Sequence, residues 1–185
     1  MISNLIGFDD APFERGAGRM VPIVGAVHAG ERLDGVLTGE VTEDGDDANS
    51  QLARLLGDSR FDAHVQAVMV QGLTLGGFNV VDLPTLAAQL ARPVMAVVRQ
   101  RPDLDAVREA LLNHVPDGEA KWQRVQAAGP VHTAGPVFFQ CAGIDPEGAR
   151  EIIERFTVQG HMPEPLRTAH LIAGALVDGH SRGRV

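Results

Sequence analysis

The sequence predicts an α/β protein, a mixed sheet flanked by helices and folded as one domain over residues 1–185. Three observations predict it. Three apolar runs joined by short turns open the chain. Further apolar runs of strand length then alternate with stretches of helical period, and 185 residues suit one sizeable core better than two.

The first run, within IGFDDAPF at Ile6 to Phe13, stops on two adjacent carboxylates, Asp9 and Asp10. Leu5, Ile6 and Phe8 can hold a short strand in a core, while Asp9 keeps its charge at the strand end, where solvent or a cation compensates it. A proline and glycines mark the next loop, and VPIVGAVHAG from Val21 reads as a buried second strand. Gly35 to Val41 reads as a third, so that the first three strands are antiparallel neighbours. The acidic cluster Glu43 to Asp47 then opens a helix with Leu52, Leu55 and Leu56 on one face, stopped near Gly57.

Ala67 to Val70 is a short buried strand that runs into Gln71 and the glycine-bearing loop GLTLGGFN. A helix from Asp82 to Ala91 follows, and beyond Pro93 the run VMAVV is a strand ending on Arg99. Strand, helix and strand joined by short loops imply a right-handed crossover and parallel pairing. Helices are predicted for Asp103 to Asn113 and Gly118 to Ala127, and a strand for Val137 to Gly143. Asp145 and Pro146 stand in cap and first-turn positions of another helix. The last helix begins near Pro163 to Pro165 and ends around Gly179. A first strand bearing a carboxylate at its tip, within three antiparallel strands followed by parallel ones, is by analogy the arrangement of ribonuclease H-like folds.

No apolar run is long enough to cross a bilayer and no secretion signal is evident, so a cytoplasmic location is the expectation. The net charge of −8 is uneven, since 11 of the 24 acids but only 5 of the 16 bases fall in the first sixty residues. Such a chain is a poor non-specific nucleic-acid binder unless metal ions supply positive charge locally. Cys141 cannot form an internal disulfide and reads as an inert buried thiol.

The carboxylates Asp9, Asp10, Asp44, Asp46 and Asp47 are hard oxygen donors of the kind that suit Mg²⁺ or Mn²⁺. For the helix-opening cluster taken alone, a solvated turn with Asp47 as cap is the preferred reading over metal; Asp9 is the stronger ligand candidate. The loop from Gln71 to Asn79 lacks both the Walker A ending and the dinucleotide spacing. Arg99 can clamp a phosphate or meet solvent, and His170 in an apolar helix can be structural or catalytic. The seven histidines show no zinc-binding spacing.

Taken together, IGFDDAPF, VPIVGAV, DGDDA, GLTLGGFNVVD, PVMAVVRQRPDL, AGIDPEGA and PEPLRTAHLIAGAL with its SRGR tail resemble the endonuclease dU family over nearly the whole chain. More distantly, GFDDAPF, PVMAVVR and PEPLRTAH resemble motifs of endonuclease V, a magnesium-dependent repair nuclease. The resemblance implies an endonuclease V-like sheet and a metal-dependent endonuclease acting on DNA with deoxyuridine or another deaminated base. It implies Asp9 and Asp47 as metal ligands, aided by Asp10 and Asp44, with Arg99 on a phosphate and His170 on the attacking water. Gln71, Gly72, Gly77, Phe78, Asn79 and Arg167 fall to substrate. The chain departs from the pattern at Gln71, which stands where endonuclease V has a third metal-binding aspartate, and in having no tyrosine to match the one that wedges DNA there. A silent nucleic-acid-binding domain and an RNA-directed nuclease therefore stay open as alternatives.

Overall fold

The structure is a computed structural model that describes residues 2–16 and 18–181, so Arg182 to Arg184 of the SRGR tail lie outside the described residues. Strands β1 (Asn4–Asp10), β2 (Met20–Ala29) and β3 (Arg32–Thr42) form an antiparallel meander. Helix α1 (Ala48–Gly57) leads to β4 (Ala67–Gln71), which pairs parallel with β1. The loop after it folds into a small hairpin, β5 (Thr74–Leu75) and β6 (Asn79–Val80). Helix α2 (Leu83–Leu90) carries the chain to β7 (Val94–Val98), parallel to β4 as the crossover rule requires.

Helices α3 (Leu104–His114) and α4 (Gly118–Ala127) precede β8 (His132–Ala134) and β9 (Val137–Ala142). Then come α5 (Pro146–Phe156) and α6 (Glu164–Asp178). The strand order β3-β2-β1-β4-β7-β9-β8 puts β1 inside the sheet. The N-termini of α2, α3 and α5 are set by Asp82, Asp103 and Asp145, whose side chains accept the amides of Thr85, Ala106 and Gly148.

Strand alternation sorts β1 between two layers. Ile6 and Phe8 pack with Leu52 and Leu56 of α1 and Leu83 and Leu86 of α2. On the opposite face Leu5 packs with Met69, Val97 and Ile153 of α5 and Leu166 of α6. Asp9 continues the Leu5 face and so comes under α6. That helix lies unusually close to the sheet because Gly7 has no side chain: a Cβ there would be 2.5 Å from the Pro165 carbonyl carbon. Ala169 and Ala173 extend the contact over Val24 and Ala26 of β2. Among the described residues no helix is long and apolar enough to cross a membrane.

Candidate active site

Asp9 is the acidic end of a buried strand, with 3% of its surface exposed. Its Oδ1 accepts the Asp10 amide at 2.9 Å, and its Oδ2 meets Nδ1 of His170 at 2.8 Å. That second contact spans 161 residues and exists because Gly7 lets α6 descend onto β1. The imidazole keeps 40% of its side-chain surface exposed. With Nδ1 held by Asp9, Nε2 is the nitrogen left for other partners. The hydrogen bond that His170 donates to Asp9 raises the His170 pKa above the ordinary value, against the opposing effect of burial.

Asp10 points to the other side of the strand, and its Oδ2 accepts the Gly76 amide at 2.7 Å. Burial, together with the charge of Asp9 beside it, pushes the Asp10 carboxyl up to about 6, although the Gly76 amide acts in the opposite direction. Gly76 also ties in the acidic turn, since its carbonyl accepts the Asp44 amide at 2.9 Å. Asp44 in turn accepts the Phe78 amide at 2.7 Å. Gly77 between them has φ +85, and a Cβ there would collide with Asp44 Oδ1, so a glycine is needed for the loop to close over this carboxylate. Arg15 approaches the other oxygen of Asp44 at 3.8 Å.

Asp47 has a different occupation. It accepts the Thr42 amide at 3.0 Å, the Thr42 hydroxyl at 2.9 Å and Nδ2 of Asn79 at 2.5 Å. Burial works to raise its pKa, but these donors outweigh it and hold the carboxyl below the usual range. Asp47 makes no side-chain cap to α1; Asn79 does that instead, accepting the Ala48 amide at 3.0 Å. The structure places two of the expected site residues within this turn. Asn79, assigned to substrate, is 0% exposed and has its amide committed to Thr42, Asp47 and Ala48. Asp47, assigned to metal, is occupied as the brace of the same turn. Among the described residues no group of three His, Cys, Asp or Glu converges as a metal cluster.

Gln71 takes the register position beside Asp9, because Phe8 pairs with Val70 one residue earlier. Its Oε1 is buried without a hydrogen-bond partner. Arg99 is exposed just past the end of β7 and borders a surface hollow with Gln100, Pro136 and His161. Arg167 lies one helical turn before His170 and pairs with Glu164 at 3.1 Å. Gly72 follows Gln71 in the left-handed region, φ +76.

Lys121 is the residue that sequence reasoning passed over. It is the chain's one lysine and is 1% exposed. Its Nζ donates to the carbonyls of Asp44 at 2.5 Å, Gly45 at 2.9 Å and Phe78 at 2.9 Å. Burial lowers its pKa, while the nearby Asp46 and Asp44 charges act to raise it. Three carbonyls on one ammonium pin the acidic turn to the hairpin loop. The signal in the sequence was a lone lysine in a chain that otherwise uses arginine, and it named no partner.

The family model for endonuclease dU matches residues 2–177. The chain belongs to the endonuclease dU family. It is 44% identical over 183 residues to a UPF0215 protein of Deinococcus radiodurans, covering 99% of this chain and 93% of the relative. A UPF0215 protein of Methanothermobacter thermautotrophicus is 41% identical over 184 residues, covering 97% and 90%. The crystal structure of a protein of unknown function from Archaeoglobus fulgidus superposes with a TM-score of 0.88 at 33% identity, over 94% of this chain and 98% of that one.

An endonuclease V from Bacillus subtilis superposes with a TM-score of 0.64 at 11% identity, over 96% and 82%. The Ciona intestinalis endonuclease V, in complex with inosine-containing DNA, gives 0.57 at 13%, over 91% and 83%. At such identities the likeness shows a shared fold, and the endonuclease dU chain thus has the endonuclease V-like architecture. Membership in an endonuclease family together with that fold supports a nuclease.

Proposed function

We propose that this endonuclease dU family member is a divalent-metal-dependent endonuclease that cuts DNA containing deoxyuridine or another deaminated base, in DNA repair. The observation that carries the reading is the Asp9 and His170 pair at the tip of β1, with the partnerless oxygen of Gln71 beside it. These residues fit a hard cation. Gln71 Oε1 is a buried oxygen without a donor, and Asp10, raised first by burial and then by the neighbouring Asp9 charge, is a carboxylate that a cation would favour. One or two carboxylates with waters and phosphate oxygens are a usual magnesium set, so Asp9, Asp10 and Gln71 would suffice without Asp44 or Asp47. Mg²⁺ or Mn²⁺ held there would activate water and offset charge on the phosphate.

The chain's own contribution is orientation and proton handling. Asp9 fixes the His170 ring through Nδ1, so that Nε2 is presented to accept a proton from the attacking water. Arg99 and Arg167 would meet phosphates, which a chain of net charge −8 needs locally. Incubating labelled duplexes bearing one uracil or hypoxanthine, with Mg²⁺, Mn²⁺ or chelator, tests this directly. Metal-dependent nicking that vanishes in Asp9→Ala is expected; no nicking of any substrate, or nicking that survives the substitution, sinks the reading. A second reading is a silent nucleic-acid-binding domain, favoured by Gln71 in a place where an acid would complete a cluster. Specific binding that is indifferent to chelator and never followed by cleavage would select it.

A further inference from the structure

Beside the strand ends lies a cavity of about 280 Å³, walled by apolar side chains that include Val98, Leu104 and Val107. Gln71 and Gly72 also line it, so it adjoins the position next to Asp9. Its volume sits at the small end of ligand sites, enough for one flat ring system. The wall formed by β9 contributes a polar group the mechanism above does not use. Gln140 is 4% exposed, and its Nε2 donates to the Gly129 carbonyl at 2.7 Å.

That bond fixes which way round the amide sits, because exchanging its oxygen and nitrogen would face one oxygen with another. The remaining Nε2 hydrogen and Oε1 are left over. Oε1 accepts no bond among the described residues, and Gln140 lines the cavity.

We propose that Gln140 reads an everted nucleobase in this cavity and selects deaminated bases over their parents; the proposal rests on the nuclease reading for its biological setting, but not for its chemistry. Uracil presents a carbonyl beside a ring N–H, and hypoxanthine does the same. Cytosine and adenine present the reverse, an amino donor beside a bare ring nitrogen. An amide donates to the carbonyl and accepts from the ring N–H of the first pair. A freely turning amide would serve either pair equally well. Locked by Gly129, it sets donor against donor and acceptor against acceptor when the parent base enters, and mispaired polar groups in a buried pocket discriminate strongly.

The test does not depend on cleavage. Deoxyuridine, deoxyinosine, deoxycytidine and deoxyadenosine are titrated against the full chain by NMR, beside the Gln140→Leu and Val107→Phe variants. The wild type is expected to bind the two deaminated nucleosides about tenfold or more tighter than their parents. Gln140→Leu should bring the ratio to about one, and Val107→Phe, which fills the cavity but keeps Gln140, should weaken all four by about tenfold. Melting curves establish that both variants fold, and if Gln140→Leu does not, the Val107→Phe result still decides whether this cavity is the binding site. Equal affinity for all four nucleosides, no binding at all, or a preference that survives Gln140→Leu overturns the proposal. Uracil-selective cleavage that Gln140→Leu leaves intact overturns it while the nuclease stands. Nucleoside selectivity in a chain that cleaves nothing supports it while the nuclease falls.

Discussion

Two groups of carboxylates flank the same corner of the sheet, and they are held in opposite ways. Asp9 and Asp10 sit on a buried strand, crowd each other, and between them meet one imidazole and two backbone amides. Asp44 and Asp47 sit in the turn before α1 and are tied to the neighbouring loop and strand: by the Phe78 amide on one, by Thr42 and Asn79 on the other. The strand pair sets two carboxylates side by side where burial raises the Asp10 carboxyl. The turn pair has its charge spent on holding a loop. We propose that chemistry belongs with the strand and architecture with the turn, although by composition alone the turn is the richer in acid.

The sharpest break of that comparison is Asp9→Asn against Asp47→Asn. Asp9→Asn should lower cleavage by about 10³-fold or more while the melting temperature moves little, as befits a charge used in the transition state. Asp47→Asn should cost about 1–3 kcal/mol of stability by spoiling a buried network, with cleavage changed only several-fold. A nicking assay and thermal melts on both proteins decide it, and equal loss of activity would erase the distinction. His170→Gln comes next. Removal of a proton acceptor costs about 10²–10⁴ in rate, and the loss should shrink above the pH at which an alternative base is deprotonated.

Gly7→Val attacks the same corner from beneath. The added side chain meets Pro165 backbone, so α6 must rise or tilt, at about 1–3 kcal/mol, and His170 is drawn from Asp9. The expected outcome is a folded protein with the kinetic defect of His170→Gln, measurable by comparing the two pH profiles. Lys121→Met probes the architectural group: Asp44, Gly45 and Phe78 carbonyls lose their shared donor, and a destabilisation of about 2–4 kcal/mol is expected in chemical denaturation.

Legibility in the sequence followed the distance over which each feature is decided. Asp145 was readable as a cap, and Asp82 and Asp103 as helix starts, because their partners are three residues away. β1 was readable from Leu5, Ile6 and Phe8, whose alternation already separated Asp9 from Asp10. β8 was not, since HTA between glycines and prolines offers three residues and no periodicity. The hairpin of β5 and β6 read as plain loop for the same reason. The partnership of Asp47 with Asn79 spans 32 residues and that of Lys121 with Asp44 spans 77, and no local pattern encodes either. The Asp9 and His170 contact was legible only through family resemblance, and Gly7, which makes it possible, only from the packing of α6.

The smallest expected effects are in the pH dependence of stability, and there the two groups have opposite signs. Asp47 has a folded pKa below its ordinary value near 3.8, so its contribution is complete above that value and is lost as pH falls through the folded one. The melting-temperature gap between wild type and Asp47→Asn should therefore be constant near neutrality and close below about pH 4. Asp10 is raised from 3.8 to about 6, so the folded chain binds more proton than the unfolded chain across that window and stability declines as pH climbs through it. In metal-free buffer Asp10→Asn escapes this decline and should gain on wild type between those two values. Adding Mg²⁺ should restore part of the wild-type loss and leave Asp10→Asn less affected, because a cation beside Asp9 and Asp10 relieves the repulsion that burial makes costly. If magnesium instead shifts Asp47→Asn and spares Asp10→Asn, the cation is held by the turn and the roles assigned to the two groups are reversed.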